Sequence, residues 1–463
     1  MLSSFALSYY RLYVPEVDLV PKKRSLSPIQ LIIISFLVII ILGTVLLMLP
    51  FATRDGHIAF IDALFTATSA TCVTGLVIFD TYTKFTLFGQ IVLLCLIQIG
   101  GLGFITIAMV VAMMSGRRIG LKSRTYLAEA VSSAQLGGVL LYSKMIVVTT
   151  LLFEGVGALL LSFRFIPMFG AAEGIWCGIF HSISAFCNAG FDILGRITPG
   201  GSLTPFASDA YVNGIITLLI IVGGIGFFVI ADLRENKFHW KKYRLHTKIM
   251  LTATACLLVF PTILFMITEY NGAYAGMSFG DKLMAAFFQT VTTRTAGFNT
   301  TDHTAYSSAG YALSIFLMMI GAGAGSTGGG LKVTTFVVIV LSVRAYMTGT
   351  EDANVYGRRL DRETMRRVFC GTAFYIGMML IGAYVIMLFQ KAEMSSALYE
   401  AASAIGTVGL SSGMTAGLLP IPKVTVMIMM FAGRVGSMSL AMSVARPGKL
   451  YKVRLPEEKI IAG

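Results

Sequence analysis

The chain has 463 residues, 56% of them hydrophobic and 13% charged, with 36 Lys and Arg against 23 Asp and Glu. An ordinary soluble domain is roughly 45–50% apolar and about 25% charged, so a water-soluble enzyme is excluded. The six cysteines (Cys72, Cys95, Cys177, Cys187, Cys256, Cys370) and five histidines form no CxxC, HExxH or other metal-ligand spacing, and nothing points to hydrolysis or redox chemistry.

In chain order, a tail over 1–27 carries Lys22, Lys23 and Arg24 ahead of residues 31–49, LIIISFLVIIILGTVLLML, which hold no charge. About 20 such residues cross a bilayer as a helix, and the run is longer than a signal-peptide core, so it is expected to remain as an anchor. With this first run near 28–50, further apolar runs near 86–114, 141–167, 210–231, 247–268, 311–346, 368–389 and 422–445 predict eight spans. Between the members of each successive pair lies a moderately apolar stretch of about 10–14 residues, too short to cross and of re-entrant length.

These four stretches resemble one another. Phe65 to Gly75 reads FTATSATCVTG, Phe180 to Gly190 FHSISAFCNAG, Phe287 to Gly297 FFQTVTTRTAG and Tyr399 to Gly409 YEAASAIGTVG. Each places an aromatic ten positions before a glycine and Leu or Phe after it; Ser69, Ser184 and Ser403 stand six before the glycine in three copies. The glycines are 115, 107 and 112 residues apart, and repetition at a fixed register outweighs any single motif.

Two crossings per quarter return the chain to its starting side, so the repeats are parallel. Of the Lys and Arg, 26 lie in or beside the tails and the three connections between quarters, with 11 acids, a balance of +15; the remainder carries −2. The basic excess therefore sets topology with both termini cytoplasmic. No zinc-finger, RNP or helix-turn-helix pattern accompanies it, so nucleic acid is not expected, while anionic lipid headgroups are a secondary attraction. The expected organisation is a cytosolic tail (1–27), repeat 1 (28–116), repeat 2 with its preceding connection (117–234), repeat 3 with a broken second helix (235–347), repeat 4 with its preceding connection (348–446) and a cytosolic tail (447–463).

Four such units around one axis make a pore. A short helix pointing its negative carboxyl end inward favours a cation, and an extended segment such as Thr407-Val408-Gly409 can turn backbone carbonyls to the axis in place of an ion's hydration shell. The four loops, each with one glycine, together with Gln98-Ile-Gly-Gly-Leu-Gly-Phe104, resemble the Ktr/Trk/HKT superfamily of potassium transporters over nearly the whole chain, most closely the bacterial Ktr membrane subunit.

The resemblance implies an all-α membrane protein with four parallel helix, P-loop, helix repeats, comprising eight transmembrane helices and four re-entrant pore helices around a central pore. It implies a selectivity filter built from Thr71, Cys72, Val73, Thr74 and Gly75, from Cys187, Asn188, Ala189 and Gly190, from Arg294, Thr295, Ala296 and Gly297, and from Gly406, Thr407, Val408 and Gly409. Potassium would bind the carbonyls of Gly75, Gly190, Gly297 and Gly409, and glycine at the first site is the pattern associated with potassium. It further implies a homodimer in the cell membrane, docked on a cytosolic RCK/KTN ring that carries the regulatory nucleotide, and sodium as an activator. No prosthetic group and no nucleotide motif is expected on this chain.

Residues Gly321, Ala322, Gly323, Ala324, Gly325, Ser326, Thr327, Gly328, Gly329 and Gly330 should break their span, and non-helical backbone at that depth must be buried in protein or face a water-filled cavity. By the resemblance this loop obstructs the pore. Arg434 interrupts the last span, where a lone cation is costly, and the resemblance puts it beside the loop. Lys332, just after the loop, belongs to the gate or snorkels toward the cytosol. Arg294 is read as bracing the filter from behind, and Glu154 is either its neutralising partner or a protonated, hydrogen-bonded acid. Asp55, Asp80, Asp192, Asp209 and Asp302 would give the outer mouth a slight negative balance. The competing readings are a sodium-translocating member of the same superfamily and an alternating-access solute carrier, which would need inverted repeats.

Overall fold

The computed structural model describes residues 28–103, 139–237, 239–350 and 352–436, which are mostly helical. Both predicted tails and the connection over 104–138 fall outside the described residues. The chain opens with α1 (Pro28–Leu47). Its buried positions Phe36, Ile39, Ile40, Thr44 and Leu47 recur at helical spacing, while Leu37, Val38, Ile41, Leu42 and Val45 on the other side are exposed. A helix apolar on both faces buries one against protein and offers the other to lipid.

Next come α2 (Phe60–Thr71) and α3 (Leu87–Leu102), then α4 (Val139–Phe169), α5 (Ala171–Phe186) and α6 (Ala210–Ile225) with its continuation α7 (Phe227–Asn236). The third quarter holds α8 (Leu245–Glu269), α9 (Phe279–Thr292), α10 (Ser308–Met319) and α11 (Val333–Met347), and the fourth α12 (Arg362–Gln390), α13 (Met394–Gly406) and α14 (Pro420–Val435). Among the described residues one sheet forms, a hairpin of β1 (Asn354–Val355) and β2 (Arg358–Arg359) turned by Tyr356 and Gly357 at positive φ.

The short helices α2, α5, α9 and α13 are rich in Ala, Ser and Thr over their buried C-terminal halves. Several of their hydroxyls bond back to the preceding turn, Thr66 to the Asp62 carbonyl at 2.8 Å and Thr68 to Leu64 at 2.7 Å, which satisfies these donors inside the core. Each short helix packs on the first long helix of its own quarter and on the helix that follows the short helix of the preceding quarter, in cyclic order. Thus α3 touches α5, α6 touches α9, α10 touches α13 and α14 touches α2. The last contact closes the ring, and Lys423 on α14 fastens it by an ion pair to Asp62 on α2 at 2.7 Å, with both side chains largely shielded.

Among the described residues four helices, α1, α4, α8 and α12, are long and apolar enough to cross a membrane. The predicted runs at 86–114 and 422–445 continue beyond the described residues, and the expectation of a single broken span needs correction. The run at 210–231 bends by 93° between α6 and α7, at Gly226, whose φ is +98°. The helices α3 and α14 likewise end on Gly103 (φ +80°) and Gly436 (φ +95°). The cause is a motif whose meaning the sequence reading did not extract: Gly100-Gly-Leu-Gly103, Gly223-Gly-Ile-Gly226 and Gly433-Arg-Val-Gly436 share a glycine that can take the left-handed backbone.

The first glycine of the same motif serves packing. A Cβ on Gly100, Gly223 or Gly433 would overlap the carbonyl oxygen of Thr71, Phe186 or Ile405, each four residues before a loop glycine. Gly223→Ala is therefore expected to destabilise the fold by about 1–3 kcal/mol, read as a lower thermal unfolding temperature of the purified protein.

Candidate functional site

The four glycines of the repeated stretches stand next to one another. A Cβ placed on Gly75 would lie 2.5 Å from the Ala189 carbonyl oxygen and 3.2 Å from the Gly190 Cα; one on Gly190, 2.8 Å from the Ala296 oxygen and the Gly297 Cα; one on Gly297, 2.6 Å from the Val408 oxygen and 3.3 Å from the Gly409 Cα. On Gly409 it would overlap the Thr74 oxygen and lie 2.9 Å from the Gly75 Cα, which closes the circle. Only glycine permits four backbones to approach so closely.

The backbone alternates in the same way in every copy. Val73, Asn188, Thr295 and Thr407 have φ of +56°, +58°, +72° and +52°, the next residue has negative φ, and the glycines return to +92°, +68°, +81° and +94°. A β-branched residue in the left-handed region costs about 1–2 kcal/mol, so the surroundings must impose it. In a regular strand successive carbonyls point to opposite sides; alternating handedness cancels that reversal and turns neighbouring carbonyls the same way.

Hydroxyl groups hold these segments from behind. The Gly75 and Gly409 amides donate to Ser69 Oγ at 3.2 Å and Ser403 Oγ at 3.1 Å, and Ser184 Oγ donates to the Phe191 carbonyl at 2.6 Å. The third copy has Val291 where the others have serine, and Thr292 Oγ1 substitutes by donating to the Phe298 carbonyl at 2.7 Å. That exchange was readable in principle, since Thr292 is the adjacent hydroxyl.

Residues Gly321 to Gly330 form a non-helical loop between α10 and α11, as expected, and the α6–α7 bend holds it. The amides of Gly323 and Thr327 donate to the Gly224 and Gly223 carbonyls at 2.8 and 3.3 Å, and the Phe227 amide donates to the Gly325 carbonyl at 2.9 Å. Thr327 Oγ1 also donates to the Phe186 carbonyl at 3.0 Å. A Cβ on Gly328 or Gly329 would overlap Thr295 Oγ1 or Thr407 Oγ1, so the loop lies directly against the left-handed residues of the third and fourth copies.

Arg434 donates to the carbonyls of Thr327 and Gly100, and to Gly101 at 3.0 Å. It joins the loop to α3, and the carbonyl oxygens supply the polar surroundings a buried guanidinium requires. Lys332 does not snorkel: its Nζ turns back to the Gly328 and Gly329 carbonyls at 2.8 and 3.4 Å.

The structure separates Glu154 from Arg294. Glu154 accepts from Gln98 Nε2 at 3.0 Å and Cys187 Sγ at 3.6 Å, while its carbonyl takes the Ser182 hydroxyl at 2.6 Å. The Arg294 side chain is buried and makes no ion pair or hydrogen bond among the described residues. Cys72 is buried in the apolar core, whereas the hydroxyls of Thr71, Thr74 and Thr407 are buried without partners among the described residues.

The outer acids are tied down rather than free. Lys84 pairs with Asp55 at 2.6 Å and holds its carboxyl below the ordinary range; Asp209 pairs with Arg164 at 2.7 Å. Asp302 is lowered by the Thr304 amide and hydroxyl, Asp80 accepts from the Thr83 and Gly200 amides, and Asp192 accepts from the Leu194 amide. Asp55 and Asp209 are thus offset by cations, whereas the hydrogen bonds to Asp80 and Asp302 do not cancel their charge.

Residues 18–451 match the family model of TrkH, a cation transport protein. The chain is 39% identical over 450 residues to the Ktr system potassium uptake protein B of Bacillus subtilis (strain 168), covering 97% of this chain and 99% of that protein. It is also 39% identical over 454 residues to the potassium/sodium uptake protein NtpJ of Enterococcus hirae, covering 95% and 98%. The crystal structure of the potassium transporter TrkH from Vibrio parahaemolyticus has a TM-score of 0.72 at 19% identity, over 92% of this chain and 86% of that one, a likeness of fold. With a helical bundle of bilayer-spanning length and a family match across nearly its whole extent, the chain belongs to the TrkH cation transport protein family.

Proposed function

We propose that this protein carries potassium across the membrane through a pore whose selectivity filter is the ring of Gly75, Gly190, Gly297 and Gly409. The observation that carries the reading is the closed contact of four glycine backbones, each entered through the same alternation of φ. Carbonyl oxygens held at one constriction replace an alkali ion's hydration shell, and the short helices α2, α5, α9 and α13 end their negative carboxyl termini at that constriction. Each copy offers one glycine, so few coordinating oxygen layers stand in series and sodium is only partly rejected. The relatives support this range, one named for potassium uptake and one for potassium and sodium.

In this reading the loop from Gly321 to Gly330 is the gate, with Arg434 and Lys332 as its fasteners. The four quarters are parallel repeats in a multi-pass protein of the cell membrane with cytoplasmic termini. Two copies pair, and the basic connections dock on a cytosolic nucleotide-binding ring, which couples the gate to a partner.

The test is isotope flux. Purified protein in liposomes is expected to pass potassium and rubidium down a gradient faster than sodium, with further modulation when a cytosolic nucleotide-binding subunit is added. Equal potassium and sodium flux places the protein among sodium-translocating relatives, and no cation flux under any gradient defeats the reading.

A further inference from the structure

A cavity of about 260 Å³ lies where the first two quarters meet, beside the N-terminal end of α5, whose C-terminal end leads to Gly190. Arg54, Tyr82, Phe169, Glu173, Trp176 and Arg196 are among its lining residues. The two arginines are pre-oriented by aromatic rings: Arg54 lies 4.8 Å from the Tyr82 ring and donates through Nε to the Tyr82 carbonyl at 2.9 Å, and Arg196 lies 4.5 Å from the Phe169 ring. Stacking fixes the guanidinium plane while its N–H groups stay free to bind, a geometry suited to phosphate.

Among the lining residues two arginines face one carboxylate. Glu173 pairs with Arg196, while Arg54 has no acidic partner among the described residues. The first turn of α5 supports the same sign: Gly170 precedes it without a side-chain cap, and Ala172 and Glu173 of that turn line the cavity. The apolar side of the cavity is formed by Leu87, which is exposed, with Ile193 and Phe169, and the Trp176 indole donates to Gln90 at 2.8 Å. Aromatic rings with anchored polar tips beside exposed aliphatics mark the boundary between headgroups and hydrocarbon.

We infer that this cavity holds the phosphate of an anionic glycerophospholipid, with an acyl chain laid over the apolar rim. Free phosphate would leave that rim unused. A zwitterionic lipid would bring its ammonium beside the unpaired Arg54, with Glu173, the carboxylate among the lining residues, already occupied by Arg196.

Native mass spectrometry of the full chain in detergent tests this with three probes: dioctanoyl-phosphatidylglycerol, dioctanoyl-phosphatidylcholine and inorganic phosphate. Phosphatidylglycerol is expected to bind at one site and phosphatidylcholine much less. Arg54→Ala should weaken the former about tenfold or more, the loss of one charge-assisted contact. Leu87→Trp, which fills the cavity without touching a charge, should remove the adduct and decides the matter should Arg54→Ala not fold. Equal retention in folded variants, equal binding of phosphatidylcholine, or displacement by inorganic phosphate each overturns the inference.

Discussion

Gly409→Ser in the purified, folded protein is expected to lower potassium flux by more than about tenfold. Two costs coincide. A side chain at φ +94° carries strain of about 1–3 kcal/mol, and its Cβ would overlap the Thr74 carbonyl oxygen while sitting 2.9 Å from the Gly75 Cα. Relief requires one of two neighbouring glycine segments to move, which in the proposed reading spoils the convergence of oxygens on one ion. Because each glycine faces the segment of the next copy, serine at Gly75, Gly190 or Gly297 should act in the same direction. Gly214 on α6 is exposed and has nothing within 4 Å of its Cβ position, and Gly214→Ser supplies the matched control with flux unchanged. The measurement is rubidium-isotope uptake into liposomes, with the potassium to sodium ratio taken from competition. Wild-type flux and selectivity in all four folded serine variants would remove the glycine ring from the pathway.

Arg434→Ala should do the opposite and raise flux about tenfold or more. The side chain bonds three carbonyls, those of Thr327, Gly100 and Gly101, and so ties the loop to α3 across the fourfold arrangement. Hydrogen bonds to a charged group contribute about 1.5–3 kcal/mol each, and 1.4 kcal/mol is tenfold in an equilibrium. Losing them frees the loop, which in the proposed reading is the gate. Deleting Ala322 to Gly329 provides the second arm, since it removes the obstruction without altering Arg434. Flux that stays the same or falls in both folded variants would show that the loop is not a barrier. Lys332→Ala releases only the Gly328 and Gly329 carbonyls and should have the smaller effect.

The pairing of these predictions shows where local pattern and three-dimensional contact part company. The break at Gly321 to Gly330 was legible because a run of Gly, Ala, Ser and Thr cannot hold a helix by side-chain packing. The bend at Gly226 was not extracted, since Gly223-Gly-Ile-Gly226 lies within an otherwise continuous apolar run and its neighbours are good span formers. Arg434 was singled out by the cost of a charge in an apolar segment, yet its link to α3 depends on residues more than 300 positions away. Glu154 could equally have met Arg294 or a neutral donor, and packing of α4 against α3 and α5 gave it Gln98 and Cys187.

By itself, the order of residues determined that the chain is a membrane protein and singled out one glycine in each of four similar stretches. Those properties follow from local requirements: about 20 apolar residues for a span, and a missing Cβ wherever φ must be positive. Only the tertiary structure decided which carbonyl each glycine faces, that α14 closes onto α2 through Lys423 and Asp62, and that the loop is fastened to the α6–α7 bend. Such choices turn on contacts between segments about a hundred or more residues apart, whose free energy is set by how whole helices pack and is not encoded in the periodicity of any one of them.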